Sequence, residues 1–435
     1  MWKVTGGVPM RVTENGIATQ GDSRRAYRLS QTHGESRHPL STSCRSGHIS
    51  RASVDRVTPS FEAPAEASDV VRVLAADGTY APSPTAERYL PLIDALTDAD
   101  VETFYRDMVV VRAFDRQATN LQRQGQLALW PPSLGQEAAQ VGSVRAARAH
   151  DHVFPSYREH VVATTRGVDP IDIIRLMRGL THGGWNPAEH QNTHIYTLVL
   201  GAQTLHATGL GMGLVFDGRT GTGNPDTDEA VMVYYGDGAS SQGDVHEAMV
   251  FAASYQTPQV FFLQNNHWAI SVPVTTQSRV PLVRRSEGYG IPSVRVDGND
   301  VLASYAVSKA ALDEARAGGG PRAIEALTYR MGAHTTSDDP TKYRTSDEEQ
   351  SWARRDPIAR MRAYLEGRGA SAAFFDEVDA AAAAYADDVR VRTNALGDLP
   401  TGIMFDHVYG DAHPLVAEQQ RWLADYEASF EEGTA

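Results

Sequence analysis

Two apolar runs stand out in the hydrophobic pattern, Val231-Met-Val-Tyr-Tyr235 and Val260-Phe-Phe-Leu263. Neither alternates with polar residues, so 231–235 and 259–264 predict strands buried on two faces, as in a parallel sheet. The intervening stretch 243–255 predicts a helix. Together they form a βαβ unit, whose crossover should be right-handed. Ser293–Val296, Ala323–Tyr329 and Val70–Leu74 predict further strands, the last followed by a turn at Asp77-Gly78. Val101, Phe104, Tyr105, Met108, Val111 and Leu121 recur at helical spacing and predict a helix over Ala99–Gln124. Ala-rich Gln136–Ala149 predicts a second helix. Pro170–Arg178 predicts a third, with Asp169 as cap and Pro170 where a missing N–H does no harm. Gly209, Gly211 and Gly213 within Gly201–Phe216 predict a helix held close to a neighbour. An Ala-rich helix should follow Asp297-Gly-Asn-Asp300, run to Ala317 and break at Gly318–Gly320. Glu348–Ala386 is amphipathic and helical in parts. No repeat of 20–50 residues is apparent. The fold class is therefore α/β, a mostly parallel sheet flanked by helices.

The 435 residues suffice for a large core. Residues 1–68, rich in Arg, Ser, Thr and Gly, predict a disordered extension, arising from a true tail or a misplaced start codon. A main domain over 69–390 and a C-terminal helical tail over 391–435 complete the division. The net charge of −14 argues against nucleic acid as the main partner. The single cysteine, Cys44, allows no disulfide within one chain and favours a reducing, cytoplasmic setting. No segment is apolar enough to span a bilayer, so a membrane partner is not expected.

Candidate chemistry lies where the two strong strands end. The first runs into Gly236-Asp237-Gly238 and the second into Asn265-Asn266. Open α/β sheets bind ligands at the carboxyl ends of their strands. A carboxylate and an amide oxygen there suit a hard cation such as magnesium beside a phosphorylated cofactor. Gly236 and Gly238 would let backbone approach it closely. A plain Gly-Asp-Gly turn is the competing explanation when that tripeptide is taken alone. Arg158, in Phe154-Pro-Ser-Tyr-Arg-Glu-His160, could fork onto phosphate oxygens, though a surface Tyr-Arg pair reads the same.

The segment Tyr235–Ser271 resembles the alpha subunit of 2-oxoacid dehydrogenase complexes, in their thiamine-dependent first component. The likeness extends over roughly 70–430. It implies the thiamine-diphosphate-binding fold, with thiamine diphosphate and Mg2+ as cofactors. It makes Asp237 and Asn266 metal ligands together with the backbone carbonyl of Trp268, and puts Gly236, Gly238 and Ala239 at the diphosphate. Tyr157, Arg158 and Arg330 become cofactor contacts by the same likeness. His334, in Tyr329-Arg-Met-Gly-Ala-His-Thr-Thr-Ser-Asp-Asp339, becomes the catalytic histidine beside the thiamine ring. The family often has two adjacent histidines; here Ala333 precedes His334. Thr335 takes the position of a regulated serine in mitochondrial relatives, without implying phosphorylation here. Leu200, in Ile195–Thr204, would contact the pyrimidine. Leu198, Val199 and Ala202 replace the family's Ser-Pro pair and a threonine, which puts a potassium site in doubt; Gln203 is kept. Gln136 and Glu137 would line the cofactor's entrance. The glutamate that activates the aminopyrimidine belongs to the beta subunit in this family.

The implied partners are a beta subunit, in a heterotetramer of two alpha and two beta chains, and a lipoyl-bearing transacylase. The implied reaction is oxidative decarboxylation of a small 2-oxoacid with acylation of the lipoyl group. Met404-Phe-Asp-His-Val-Tyr409 and Gln419-Gln-Arg-Trp422 look more like the branched-chain type than the pyruvate type. Pyruvate and acetoin dehydrogenase alpha subunits are the alternatives, and a non-catalytic assembly scaffold is the alternative of another class. A phosphohydrolase using Asp237 would need more carboxylates at the strand ends than the chain offers.

Overall fold

The computed structural model describes residues 69–181 and 183–431. The expected extension over 1–68, with Cys44, lies outside them. Strands β1 (Val70–Val71), β2 (His152–Phe154), β3 (Val231–Gly236), β4 (Gln259–Asn265), β7 (Ser293–Asp297) and β8 (Arg322–Leu327) form one parallel sheet in the order β1-β7-β8-β4-β3-β2. Strands β5 (Trp268–Ala269) and β6 (Val272–Pro273) pair as a small antiparallel hairpin.

Seven helices carry the rest of the description: α1 (Asp98–Arg123), α2 (Glu137–Ala146), α3 (Pro170–Arg178), α4 (Ala202–Phe216), α5 (Gly243–Tyr255), α6 (Val301–Glu314) and α7 (Ala372–Asn394). The two strong strands sort their side chains by parity. Met232, Tyr234, Val260 and Phe262 join a core with Val141, Val144, Ala303 and Val307 of α2 and α6. Val231, Val233, Tyr235, Phe261 and Leu263 join another with Ala207, Leu214, Val245 and Met249 of α4 and α5. Burial on both faces is what the unbroken apolar runs require. Each fully buried side chain of this size contributes about 1.5–3 kcal/mol relative to exposure.

Register fixes the site. Gly236 lies opposite Gln264, so β3 and β4 end side by side. Asp237 and Asn266 therefore leave the sheet at the same edge.

Local chemistry sets the element ends. Helix α1 starts at a reciprocal capping box between Thr97 and Asp100. Helix α3 is capped by Asp169 at its start and by Gly179, at φ 81, at its end. The expected strand at Val70–Leu74 shortens to Val70–Val71, because the backbone N–H groups of Val73 and Leu74 donate to the Asp300 carboxylate at 2.7 and 2.6 Å instead of to a ladder. Helix α6 stops short of Ala317. The chain there widens into a π-turn over Ala315–Gly319, with Gly318 at φ 81. Of the three glycines in α4, only Gly211 is tight: an added Cβ would meet the Thr257 side chain at 3.0 Å, whereas Gly209 and Gly213 face open space. Helix α7 runs through residue 390 and packs along α1. Beyond it come a short 3-10 turn, Thr401–Phe405, and a helix, Pro414–Glu431. Among the described residues, no helix is long and apolar enough to cross a membrane.

Candidate active site

A cavity of about 280 Å³ opens at the ends of β3 and β4. Its lining includes Gly236, Asp237, Gly238 and Ala239 from the β3 end, and Asn266, Trp268, Ile270 and Val272 from the β4 end and the hairpin. Tyr157, Arg158, Leu200 and His334 reach it from three other segments. Ten of the eleven residues expected at the site thus meet at one cavity; the eleventh, Arg330, does not line it.

Asp237 is almost wholly buried, 1% exposed. Its side chain accepts from Gln277 Nε2 at 3.2 Å, and among the described residues no cationic side chain pairs with it. Burial pushes its pKa up to about 6, against the lowering effects of the Gln277 amide, nearby backbone N–H groups and the more distant Arg330 charge. Asn266 spans between Trp268 N, which donates to its side-chain oxygen at 3.2 Å, and Gln136 Oε1, which accepts from its Nδ2 at 3.3 Å. Among the described residues there is no group of three or more His, Cys, Asp or Glu that could hold a metal. The side-chain oxygens at this cavity are instead one buried carboxylate, Asp237, and one amide oxygen, Asn266. Such a set fits a cation whose remaining ligands come from a phosphorylated molecule.

The glycines divide their work. A Cβ at Gly236 would meet nothing within 4 Å and would project into space beside the cavity. At Gly238 it would come within 2.9 Å of Ala269 Cβ, so that glycine lets the β3 turn close on the hairpin.

Arg330 is fully buried behind the cavity. Its guanidinium donates to the Trp268 carbonyl at 3.0 Å, to the Ile270 carbonyl at 2.8 Å and to the Tyr343 hydroxyl at 2.9 Å. These bonds anchor the hairpin from below. Ile270 is held there at φ 54, a conformation that a β-branched residue rarely adopts.

His334 sits between two arginines. Arg158 Nη2 lies 3.2 Å from its Nδ1 and donates to its carbonyl at 2.9 Å. Its backbone N–H donates to Asp338 at 2.8 Å, and Asp338 also holds the Tyr343 hydroxyl. Burial and then the charges of Arg158 and Arg330 push the imidazole pKa down to about 3. The ring is therefore neutral near pH 7. With Nδ1 accepting, its proton sits on Nε2, which makes the ring a hydrogen-bond donor.

Other expected residues have different duties. Glu137 is fully buried but outside the cavity, where it accepts from Gly135 N at 2.9 Å and Arg112 Nε at 2.8 Å. Gln136 and Gln203 line the cavity. Leu198 and Val199 are 60% and 70% exposed, an apolar pair next to Leu200. Thr335 faces a neighbouring cavity on the other side of the 332–338 loop.

Glu159, Gln264 and Gln277, to which the sequence assigns no role, also line the cavity. Gln264 left a signal, a polar residue inside an otherwise apolar strand near the strand's carboxyl end.

Comparison with known proteins gives the family. Residues 105–390 match the family model described as "Dehydrogenase E1 component". The chain is 42% identical over 355 residues to the 3-methyl-2-oxobutanoate dehydrogenase subunit alpha of Mycobacterium tuberculosis, covering 81% of this chain and 93% of that one. It is 39% identical over 280 residues to the pyruvate dehydrogenase E1 component subunit alpha of Staphylococcus aureus, covering 64% of this chain and 73% of the relative.

Proposed function

We infer from membership in the dehydrogenase E1 component family, to which this chain belongs, that it is the alpha subunit of a branched-chain 2-oxoacid dehydrogenase. Its activity is that of 3-methyl-2-oxobutanoate dehydrogenase, a thiamine-diphosphate-dependent decarboxylation. Bound thiamine diphosphate supplies the electron sink for loss of carbon dioxide from the 2-oxoacid.

The observation that supports the site assignment is the convergence of Asp237, Asn266 and Trp268 on the cavity that also receives Arg158 and His334. In this proposal the side-chain oxygens of Asp237 and Asn266 and the Trp268 carbonyl hold Mg2+, and the Gly236–Ala239 turn accommodates the diphosphate. Arg158 and Tyr157 form the facing wall, and Leu200 presents an apolar edge to the pyrimidine. Arg330 acts by holding the hairpin carbonyls rather than by forming part of the wall. Neutral His334 donates from Nε2 to the substrate's carboxylate or developing oxyanion.

In this proposal the site is completed by a second chain, the beta subunit of a two-alpha two-beta assembly. The tail supports the same assembly: Tyr409, Leu415, Trp422, Tyr426 and Phe430 are each at least half exposed. A tail over 391–435 that docks on the beta subunit belongs to the proposal, as do acyl transfer to a lipoyl-bearing transacylase and a cytoplasmic location. The latter rests on the single cysteine in 435 residues.

Pyruvate is the second reading, favoured by the staphylococcal similarity. The test is decarboxylation by this chain co-purified with its beta partner. The 2-oxoacids derived from valine, leucine and isoleucine should exceed pyruvate in kcat/KM. A reversed preference would transfer the assignment to the pyruvate type, and inactivity toward every 2-oxoacid would end it.

A further inference from the structure

In the cavity wall lies a polar relay that the decarboxylation chemistry does not use. Glu159 is 2% exposed and has no cationic partner among the described residues. One of its oxygens accepts from Ser156 N at 2.7 Å, Ser156 Oγ at 2.9 Å and Arg158 N at 3.3 Å. The other accepts from Gln264 Nε2 at 2.6 Å. Gln264 Oε1 in turn accepts from Gln140 Nε2 at 3.1 Å, and that same amide also donates to the Arg158 carbonyl at 3.1 Å.

The relay joins three elements: helix α2 through Gln140, strand β4 through Gln264, and the turn bearing Tyr157 and Arg158 through Glu159. We propose that Glu159 is a positioning residue that locks the Tyr157–Arg158 turn to the end of strand β4, so that the cofactor's facing wall and its metal-ligand edge hold one spacing. The inference rests on the reading of this cavity as the thiamine diphosphate site.

The relay has a direction, and only a pure acceptor fits at its end. A glutamine at 159 whose oxygen kept the Ser156 donors would turn its amide against the Gln264 amide, donor against donor. Reversing both Gln264 and Gln140 would repair that contact. It would also set the Gln140 oxygen against the Arg158 carbonyl and free the turn. Exchanging the two residue types, Glu159→Gln with Gln264→Glu, satisfies every link again. The glutamine at 159 accepts from Ser156 and donates to the glutamate at 264, which also accepts from Gln140. A buried polar network is stabilising only when each member has its partner, so the single and the exchanged variants should differ sharply.

The experiment measures the Kd of thiamine diphosphate by calorimetry at saturating Mg2+, on the chain co-purified with its beta partner. Glu159→Gln should weaken binding about tenfold, within the range for outer-shell partners of a bound metal site. kcat at saturating cofactor should change far less than KM for the cofactor. The Glu159→Gln/Gln264→Glu exchange should recover most of the loss, which a general loss of packing would not do. Ser156→Ala, a milder cut at the same oxygen, should weaken binding roughly threefold. Arg158→Ala and Glu159→Gln should combine less than additively, since they act through one wall.

If Glu159→Gln binds within twofold of the wild type, the positioning role is wrong while the site assignment stands. If the wild type itself binds no thiamine diphosphate, the site assignment falls and takes this inference with it. Should Glu159→Gln fail to fold, the exchanged variant decides: near-wild-type affinity supports the relay, and affinity tenfold weaker overturns it.

Discussion

Asp151 and Asp237 stand at opposite ends of the parallel sheet, and both are buried, 0% and 1% exposed. Their surroundings differ in kind. Asp151 precedes β2 and is fully compensated. Arg316 Nε donates to it at 2.9 Å and Arg316 Nη2 closes a second bond; the backbone N–H groups of Ala230 and Arg148 add two more, at 3.0 and 2.6 Å. Asp237 follows β3 and has one side-chain donor, the neutral Gln277 amide. A buried carboxylate supplied with its own arginine belongs to the architecture. One left with a single neutral donor is ready for a cation from outside. Asp115 lies between them: it is buried, with three neutral donors from Trp130 and Ser133 and, among the described residues, no cationic partner.

The largest expected effect separates the two ends. Asp151→Ala removes the buried partner of Arg316, which among the described residues keeps only its bond to Asp313 at 2.6 Å, and unpairs the Ala230 and Arg148 N–H groups; it should lower unfolding free energy by about 3–5 kcal/mol, measured by denaturant titration. A loss below 1 kcal/mol would show that the ion pair is not what compensates the charge. Asp237→Asn should act the other way. Removing an uncompensated charge should leave the thermal midpoint of the cofactor-free protein unchanged or higher, while cofactor affinity with Mg2+ falls by more than about 100-fold, beyond the loss for outer-shell partners. A drop in that midpoint would contradict the contrast.

Asp115 sharpens it through pH. Burial pushes its pKa up to about 7, from 3.8 for an exposed carboxyl. Between those values the folded state keeps a proton that the unfolded state has lost. Its contribution to stability therefore falls as pH rises through that window, by at most about 1.4 kcal/mol per pH unit. Asp115→Asn should flatten that part of the stability profile, and an unaltered slope would assign it to other groups. The smallest effect is expected from Gln277→Ala. It removes the one side-chain donor to Asp237 and should shift stability by less than about 1 kcal/mol, with cofactor affinity nearly constant once a cation takes over. A large loss of affinity would mean Gln277 has a part of its own in the site.

The same contrast explains what could be read from the sequence. The βαβ unit was legible because Val231–Tyr235 and Val260–Leu263 are apolar without interruption, and burial on both faces demands that. Asp237 and Asn266 were legible because such strands end in polar residues at a ligand-bearing edge. Resemblance to known relatives drew Tyr157, Arg158 and His334 to the same site from distant segments. The roles of Glu159, Gln264 and Gln277 were not legible, since they depend on partners far away in the chain, although Gln264 is marked as a polar residue in an apolar strand. Gln264 meets Gln140 and Glu159 only once three elements have packed. Arg330 had a recognisable position but not a recognisable duty. Two of its bonds go to main-chain oxygens, which carry no residue-specific mark. The shortening of β1 was hidden for a similar reason: Asp300, the competitor for its N–H groups, arrives from the far side of the chain.

That grip on main-chain oxygens has a consequence for how this protein can change. Arg330 holds the 268–273 hairpin by the carbonyls of Trp268 and Ile270, whatever side chains those positions carry. The hairpin's side chains at 270 and 272, which shape the chamber wall, can therefore be exchanged without disturbing the oxygen that Trp268 presents. Anchorage and wall shape are separately mutable within six residues, so lineages can retune which acids enter while inheriting the same mooring.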